Sequence, residues 1–403
     1  MIKQFRVQNY KALRDVTLNL TPLHVLIGPN DSGKTSLLEA VAAFCRSVDG
    51  SIAEAFVGTW IGRQLAWRNH QVAVCFDAAF ETVDEVWGEA ETYHYAFDVR
   101  FDDKDRRAQV VKETVKRGSE LICQCSDMSD KTLICSERPR YVIEHQNNWP
   151  SSSDIIHHEL DNVQFLRLDP RLLSVPVAAQ PNRPIRLEPS GFGLARCLDH
   201  LLGFERDAFN RLELRFREFY PQVKSILLKS ERGVEIVEGQ YGTTSVQDSH
   251  DGKGLYFSLV DQPVPIPAFQ MSDGILLVLA YLTVLYLGDR PRVLLIEEPE
   301  NGIHPKRLQE VLAILRQLVS EQQHTQIILT THSPYVLDSF QPEEVTLCRK
   351  NEDGAVSVRR LSESKTVREQ IDLFSLGEIW TAAGDDDLAI PVDSAAVVEE
   401  VAP

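Results

Sequence analysis

The stretch GPNDSGKT, residues 28–35, constrains the fold of this chain more than any other part of the sequence. It follows the apolar run Leu23 to Ile27, which predicts a buried strand, and it precedes apolar residues at helical spacing from Leu37 to Val48. The pattern G-x-x-x-x-G-K-[ST] between a strand and a helix is typical of a loop whose backbone N–H groups surround phosphate oxygens. We therefore expect an α/β fold with a phosphate site at the carboxyl end of this strand.

The side chains of this loop suit a nucleoside triphosphate bound with Mg²⁺. Lys34 is expected to reach the β- and γ-phosphates, and the Thr35 hydroxyl is expected to ligate the metal ion. The sequence thus predicts ATP and Mg²⁺ as ligands. The predicted phosphate-binding residues of the loop are Asn30, Ser32, Gly33, Lys34, Thr35 and Ser36.

A second constraint is the segment LLIEEPENGIHP, residues 294–305, in which two adjacent glutamates follow an apolar run. The run predicts a buried strand, expected beside the phosphate-loop strand. Glu297 at its end would hold Mg²⁺ through water, and Glu298 would orient or deprotonate the water that attacks the γ-phosphate. The alternative is a strand that ends in incidental surface glutamates.

Two later features add to the pattern. Ser272-Asp273-Gly274 opens a long apolar helix, and His332 follows the predicted strand Gln326 to Thr330. Ser272 is also compatible with an ordinary N-cap, and His332 with a buried structural histidine. A helix N-terminus with a serine hydroxyl is equally able to bind the γ-phosphate held by another subunit.

The order of these motifs resembles that of the ATP-binding-cassette superclass, and within it the RecF/SMC/OLD branch. The segments NYKAL (9–13), MSDGILLVLAYL (271–282), TTHSPYVLD (330–338) and SLGEIW (375–380) are similar to prokaryotic RecF-like AAA ATPases, which occur as stand-alone proteins and in defence operons. The resemblance implies an ABC-type P-loop ATPase head, with a mixed sheet lobe and a helical lobe.

The resemblance also implies roles for individual residues. Ser272, Asp273 and Gly274 correspond to the signature motif. Glu297 corresponds to the Walker B acid and Glu298 to the catalytic glutamate. Residues 301–304 correspond to the D-loop, and His332 to the switch histidine, so Glu298 and His332 are the expected catalytic residues. Because the signature serine lies far along the chain from the phosphate loop, we expect a head-to-tail dimer or higher oligomer of this chain.

Composition bounds the other possibilities. The 403 residues carry a net charge of −17, which argues against nonspecific coating of nucleic acid but leaves a local basic groove open as an alternative. The seven cysteines lack the spacing of a zinc site. Without a signal peptide or a membrane-spanning segment at the sequence level, a cytoplasmic protein without a membrane partner is expected.

The predicted organisation has four parts. Residues 1–165 form the first part of the sheet lobe with a β-rich insertion, and residues 166–265 form the helical lobe with connecting strands. Residues 266–380 complete the sheet lobe, and the acidic residues 381–403 form a disordered tail. Within the insertion, the highly charged residues 102–120 are expected to be a linker or an exposed insertion.

These features predict an ATPase that acts as a nucleotide-gated dimeric switch or scaffold, with a sensor role in prokaryotic anti-phage defence and a separately encoded effector. The alternative is a RecF-like DNA-repair ATPase. An OLD-like nuclease would need a further catalytic domain after TTHSP, where about 70 residues follow without the required acidic pattern. A transporter subunit fits poorly, because EEPENGIHP is not the transporter form of this motif.

Overall fold

The computed structural model describes residues 1–56, 62–69, 72–83, 90–101, 108–126, 130–132, 152–178, 184–238, 244–321 and 325–392. Its strands are β1 (Ile2–Tyr10), β2 (Leu13–Asn19), β3 (Leu23–Ile27), β4 (Val74–Val83), β5 (Ala90–Phe101), β6 (Ala108–Arg117), β7 (Glu120–Cys125), β8 (Val163–Leu166), β9 (Val177–Ala178), β10 (Val223–Glu238), β11 (Thr244–Leu259), β12 (Ile266–Pro267), β13 (Val293–Glu297), β14 (Gln326–Thr330), β15 (Val345–Lys350) and β16 (Val356–Arg360). Its helices are α1 (Lys34–Arg46), α2 (Ile52–Ala55), α3 (Ser152–Leu160), α4 (Pro170–Leu173), α5 (Leu194–Phe204), α6 (Arg206–Phe219), α7 (Asp273–Tyr286), α8 (Pro305–Glu321), α9 (Pro334–Leu337), α10 (Lys365–Gln370) and α11 (Leu376–Leu388).

The chain divides into two compact units. The first unit comprises Met1–Val163, Arg292–Leu295 and His324–Pro403, and the second comprises Gln164–Pro291 and Ile296–Gln323. Two of the four boundaries between the units fall within strands, one in β8 and one in β13.

One sheet of the first unit is antiparallel, in the order β2-β1-β4-β5-β6-β7. The predicted pairing of the two N-terminal strands is confirmed, with Val7 opposite Val16. Phe44 of α1 packs over this sheet, with its ring centroid 5.5 Å from Phe5 and 5.6 Å from Phe97. Aromatic burial of this kind joins the helix after the phosphate loop to the sheet.

The charged segment 102–120 does not form a linker throughout, because residues 108–117 are strand β6, paired with β5 and β7. Ala108, Val110 and Val115 are buried on one face, while Lys112 and Lys116 are exposed. Charges on the solvent face of a strand are compatible with a sheet, so charge density alone was misleading here. Residues 102–107 lie outside the described residues.

A second sheet carries the phosphate-loop strand, in the order β16-β15-β3-β14-β13-β8. β3 lies between β14 and β15 and is parallel to both. The expectation that β13 lies beside β3 is wrong, because β14 separates them. Every residue of β3, β13 and β14 is buried, as expected for central strands of a sheet covered on both faces.

The second unit contains helices α4 to α8 and a long antiparallel hairpin of β10 and β11. α7 is its central helix, contacting α4, α5, α6 and α8, and its residues from Ile275 to Leu285 are all buried. The predicted buried helix and the helices predicted between residues 193 and 220 are confirmed. Within the described residues, no helix is both long enough and apolar enough to cross a bilayer.

The acidic segment from residue 381 differs from the predicted disordered tail, since helical structure, with a kink at Gly384 (φ +75°), continues to Leu388. Trp380 Nε1 donates a hydrogen bond to Asp385, 2.8 Å away, and Arg349 pairs with Asp386. Leu388 is fully buried, so one apolar side chain and two polar contacts hold this acidic turn in place. Residues 393–403 lie outside the described residues.

Candidate nucleotide-binding and hydrolysis site

The phosphate loop of the first unit requires glycine at both of its ends. Gly28 has φ +134°, and a Cβ there would lie 2.1 Å from the carbonyl oxygen of Cys348. Gly33 has φ +90°, and a Cβ there would lie 2.4 Å from Val356 Cγ2. Because glycine alone tolerates both the backbone angle and the close approach, these positions hold the loop in a phosphate-binding conformation.

Lys34 lies across this loop. Its Nζ donates hydrogen bonds to the carbonyl oxygens of Gly28 and Pro29, both at 2.8 Å, and to Ser32 Oγ at 3.3 Å. The side chain is buried, with 6% of its surface exposed. A buried ammonium group held at the start of the 13-residue helix α1 places positive charge where the helix N-terminus also favours an anion.

The remaining loop side chains take different positions. Ser32 is buried, Ser36 is half-buried, and Asn30 and Thr35 are exposed. Asp31, with φ +64°, pairs with Lys350 of β15 at 2.5 Å. Thr35 is thus an exposed residue in the first turn of α1.

His332 lies at the same edge of the sheet as the phosphate loop. β14 is parallel to β3 with Thr330 opposite Leu26, and the Thr331 N–H donates to the Leu26 carbonyl oxygen at 3.1 Å. His332 and Gly28 each follow within two residues of this paired position. The half-buried His332 is therefore not an isolated core histidine, and the register of two parallel strands brings it to the loop's edge.

The two glutamates lie at the end of β13. Glu297 is buried, with 9% of its surface exposed, and Arg167 Nη1 lies 3.5 Å from its Oε2. Glu298 is half-buried and has φ +48°, so the backbone turns sharply between the two carboxylates. The two adjacent glutamates therefore have different backbone conformations.

The signature segment forms the start of α7 in the second unit. Ser272 occupies the N-cap position with extended backbone angles, yet among the described residues its hydroxyl accepts no hydrogen bond from the first turn of the helix. Asp273 is exposed, and the Gly274 carbonyl oxygen accepts a hydrogen bond from Tyr220 Oη at 3.1 Å. Ser272 thus has the position of a cap without performing that local role.

Three residues near these motifs were not predicted as site residues by sequence reasoning: Arg167, Tyr220 and Asn301. Arg167 pairs with Glu297, and Tyr220 holds the start of α7. Burial raises the pKa of Tyr220 to about 12, so the phenol remains a hydrogen-bond donor at neutral pH. Asn301 was expected only as part of the D-loop, and its Nδ2 donates to Glu298 Oε2 at 2.6 Å. Arg167 and Tyr220 belong to no motif, because each contacts a residue that is distant in sequence.

The predicted site residues are therefore distributed over both units. The first unit brings together residues 30–36 and His332, and the second carries Glu297, Glu298 and Ser272 to Gly274. Each unit carries an oxygen donor of a type that Mg²⁺ takes: the Thr35 hydroxyl in the first unit, and in the second the buried Glu297 carboxylate, which already has a cationic neighbour. In the described part of the chain, no group of three or more histidine, cysteine or acidic side chains forms a metal site of its own.

Comparisons with known proteins find similarity to ATPase families and to one nuclease. Residues 1–159 match the family described as "AAA ATPase domain", and residues 147–338 match the family described as "AAA domain, putative AbiEii toxin, Type IV TA system". The OLD nuclease of Thermus scotoductus (strain ATCC 700910 / SA-01) is 24% identical over 414 residues, which cover 96% of this chain and 70% of that protein.

The fold has a counterpart among solved structures. The crystal structure of the SMC head bound to the C-terminal winged-helix domain of ScpA aligns with 89% of this chain and 97% of its own chain, with a TM-score of 0.51 and 12% sequence identity. The SMC head is an ABC-type P-loop fold, so the predicted fold class is confirmed. Taken with the phosphate-loop geometry, these similarities support an ATP-hydrolysing enzyme with an ABC-type fold that is similar to ATPases of the RecF/SMC/OLD branch.

Proposed function

We propose that this chain is a nucleotide-gated switch that dimerises head to tail around two Mg-ATP molecules. The observation that carries the proposal is the Ser272 hydroxyl, which sits at the N-terminus of the 14-residue helix α7 without capping that helix. A serine hydroxyl and a helix N-terminus together suit the γ-phosphate bound by a second copy. Asp273 and Gly274 would complete this contact.

In the proposed mechanism, one copy binds the triphosphate through its loop. The backbone of residues 30–36 and the Lys34 ammonium contact the phosphate oxygens, while Thr35 and Glu297 hold the metal ion, Glu297 through water. Bound Mg²⁺ supplies charge neutralisation on the β- and γ-phosphates. Arg167 would leave Glu297 when this cation is present, because both bind the same carboxylate.

Hydrolysis requires a base and a group that contacts the γ-phosphate. Glu298 accepts a proton from a water molecule while the oxygen of that water forms a bond to the γ-phosphorus. The bond from that phosphorus to the bridging oxygen breaks, which leaves ADP and phosphate. His332 donates a hydrogen bond to a γ-phosphate oxygen and reports whether that group is present. ATP binding closes the dimer, and hydrolysis opens it.

The proposal is tested by light scattering of the purified chain with and without Mg-ATP. Glu298→Gln is expected to accumulate as a nucleotide-bound dimer or higher oligomer, because the closed state forms but cannot hydrolyse ATP. With Mg-ATP, Ser272→Arg should keep the oligomeric state that it has without nucleotide. Ser320→Arg, at an exposed serine of α8, should assemble like the wild type. ATP-dependent assembly of the Ser272→Arg variant at wild-type affinity would contradict the proposal.

For the cellular role, we propose a sensor ATPase of a prokaryotic anti-phage defence system, acting in the cytoplasm with a separately encoded effector. Two comparisons support this role. The description of one matching family names a toxin of a type IV toxin–antitoxin system, and one relative is an OLD nuclease. Affinity purification from the host with Mg-ATP should recover an effector whose yield falls for Lys34→Ala. Phage protection that persists without the effector gene would contradict this role.

The alternative role is a DNA-binding repair ATPase, supported by the name of the nuclease relative. It predicts ATP hydrolysis stimulated by duplex ends or gaps, with binding that weakens steeply with salt. The net charge of −17 limits such binding to a local groove. Turnover unaffected by DNA at low salt would leave the defence role as the better proposal.

A further inference from the structure

The turn that follows β13 has an uncommon backbone. Glu298 has φ +48°, the Asn301 N–H donates to the Glu298 carbonyl oxygen at 3.1 Å, and the Ile303 N–H donates to the Glu300 carbonyl oxygen at 3.0 Å. A positive φ at a residue other than glycine is unfavourable and persists only where the surroundings hold it. The two backbone hydrogen bonds therefore stabilise this turn in one defined conformation.

Asn301 contacts Glu298 a second time through its side chain. Its Nδ2 donates a hydrogen bond to Glu298 Oε2 at 2.6 Å. The same two residues are thus joined by a backbone bond and a side-chain bond. With both bonds present, the carboxylate plane of Glu298 is fixed relative to its own backbone, although the terminal torsion of a glutamate is otherwise broad.

The turn is also anchored against α7 of the same chain. Gly302 has φ +80°, and a Cβ there would lie 3.4 Å from Leu277 Cδ1 and 3.7 Å from Asp273 Cβ. Ile303 is buried, with 8% of its surface exposed. Because Ile303 is buried and the Asn301 N–H is hydrogen-bonded to the Glu298 carbonyl oxygen, the backbone of Asn301 is held relative to Glu298.

We infer that Asn301 is a positioning residue for the carboxylate of Glu298. The amide of asparagine donates to one carboxylate oxygen and does not titrate, so it orients the group without competing for the proton. Orientation of a base before reaction removes a rotational cost from the chemical step. This inference rests on the role of Glu298 in the proposed function.

The first test is steady-state ATP hydrolysis by Asn301→Ala. We expect kcat to fall by roughly tenfold to a hundredfold, the range that corresponds to one hydrogen bond to a charged group, with KM and ATP affinity unchanged. Asn301→Ser keeps a donor and should recover part of kcat, and it also replaces the alanine variant if that variant fails to fold. Asn210→Ala, at an exposed asparagine of α6, is the matched control and should retain wild-type kinetics.

The second test is a double-mutant cycle with Glu298→Gln, measured in single turnovers. If Asn301 acts through the Glu298 carboxylate, adding Asn301→Ala to Glu298→Gln should lower the residual rate no further. An additive loss, or a wild-type kcat for Asn301→Ala while Glu298→Gln is inactive, would overturn the inference alone. Wild-type turnover by Glu298→Gln would instead overturn the proposed role of Glu298, so the two failures are distinguishable.

Discussion

His24 connects the phosphate-loop strand to the pH dependence of stability. Its side chain is fully buried in β3, with Nδ1 3.1 Å from Thr21 Oγ1 and Nε2 2.9 Å from Thr346 Oγ1. Burial, with a smaller contribution from Arg360, lowers the pKa of His24 to about 3. A neutral imidazole satisfies both threonine hydroxyls, one as donor and one as acceptor, whereas a protonated ring would be a buried cation.

The sign and size of the effect follow from this depressed pKa. The unfolded chain binds a proton at His24 below about pH 6.5, whereas the folded chain does so only below about pH 3. The contribution of neutral His24 to the free energy of unfolding is therefore fully present above about pH 6.5 and is lost as the pH falls towards 3. At about 1.4 kcal/mol per pH unit, lowering the pH from roughly 7.5 to 5 should reduce the free energy of unfolding by about 2 kcal/mol through His24.

The assay is urea unfolding followed by circular dichroism, with wild type and His24→Gln measured across this pH range. The variant loses some stability at every pH because its amide fits the two threonines less well, but it lacks the histidine titration. The wild type should therefore lose about 2 kcal/mol more than the variant between pH 7.5 and 5. His304→Gln, at an exposed histidine, should keep the wild-type pH dependence. Equal pH dependence in wild type and His24→Gln would refute the reasoning.

Two further substitutions test the geometry of the site. Gly28→Ala should abolish ATP binding and destabilise the protein by about 3 kcal/mol or more, because the new Cβ meets a backbone oxygen at 2.1 Å and φ is +134°. Gly203→Ala, near the end of α5 with no atom within 4 Å of the added Cβ, should leave ATP binding intact. Equal ATP-binding titration curves for the two glycine variants would contradict the loop geometry. Tyr220→Phe removes the bond to Gly274 and should cost about 1 kcal/mol while weakening ATP-dependent dimerisation. Tyr335→Phe, at an exposed tyrosine of α9, is its control, and identical scattering profiles for the two tyrosine variants would count against a role for Tyr220.

The local elements around the site could be predicted from sequence. Glycines 28 and 33 need backbone angles or space that other residues do not tolerate, so their spacing indicates the loop before any contact is known. The buried strands before Gly28 and His332 and the long helix after Ser272 follow from continuous apolar runs bounded by turn residues. The glycine loop, the buried strands and the helix after Ser272 could be predicted because each depends on residues that are neighbours along the chain.

Order within the sheet and side-chain partners were decided by the tertiary structure. β14 separates β13 from β3, and the charged segment that contains β6 joins a sheet, because strand pairing depends on partners distant in sequence. Asp386 in the acidic segment pairs with Arg349, which lies 37 positions earlier in the chain.

The residues of the candidate site also divide into those that the sequence indicates and those that only the folded chain brings together. The sequence alone determined that a phosphate loop and two strand-end carboxylates exist, since residue type and spacing suffice for that. The pairing of Arg167 with Glu297 was decided only in the folded chain, where residues 130 positions apart come within 3.5 Å. Such contacts carry no local signal, because a single exposed arginine in a sequence is compatible with many partners.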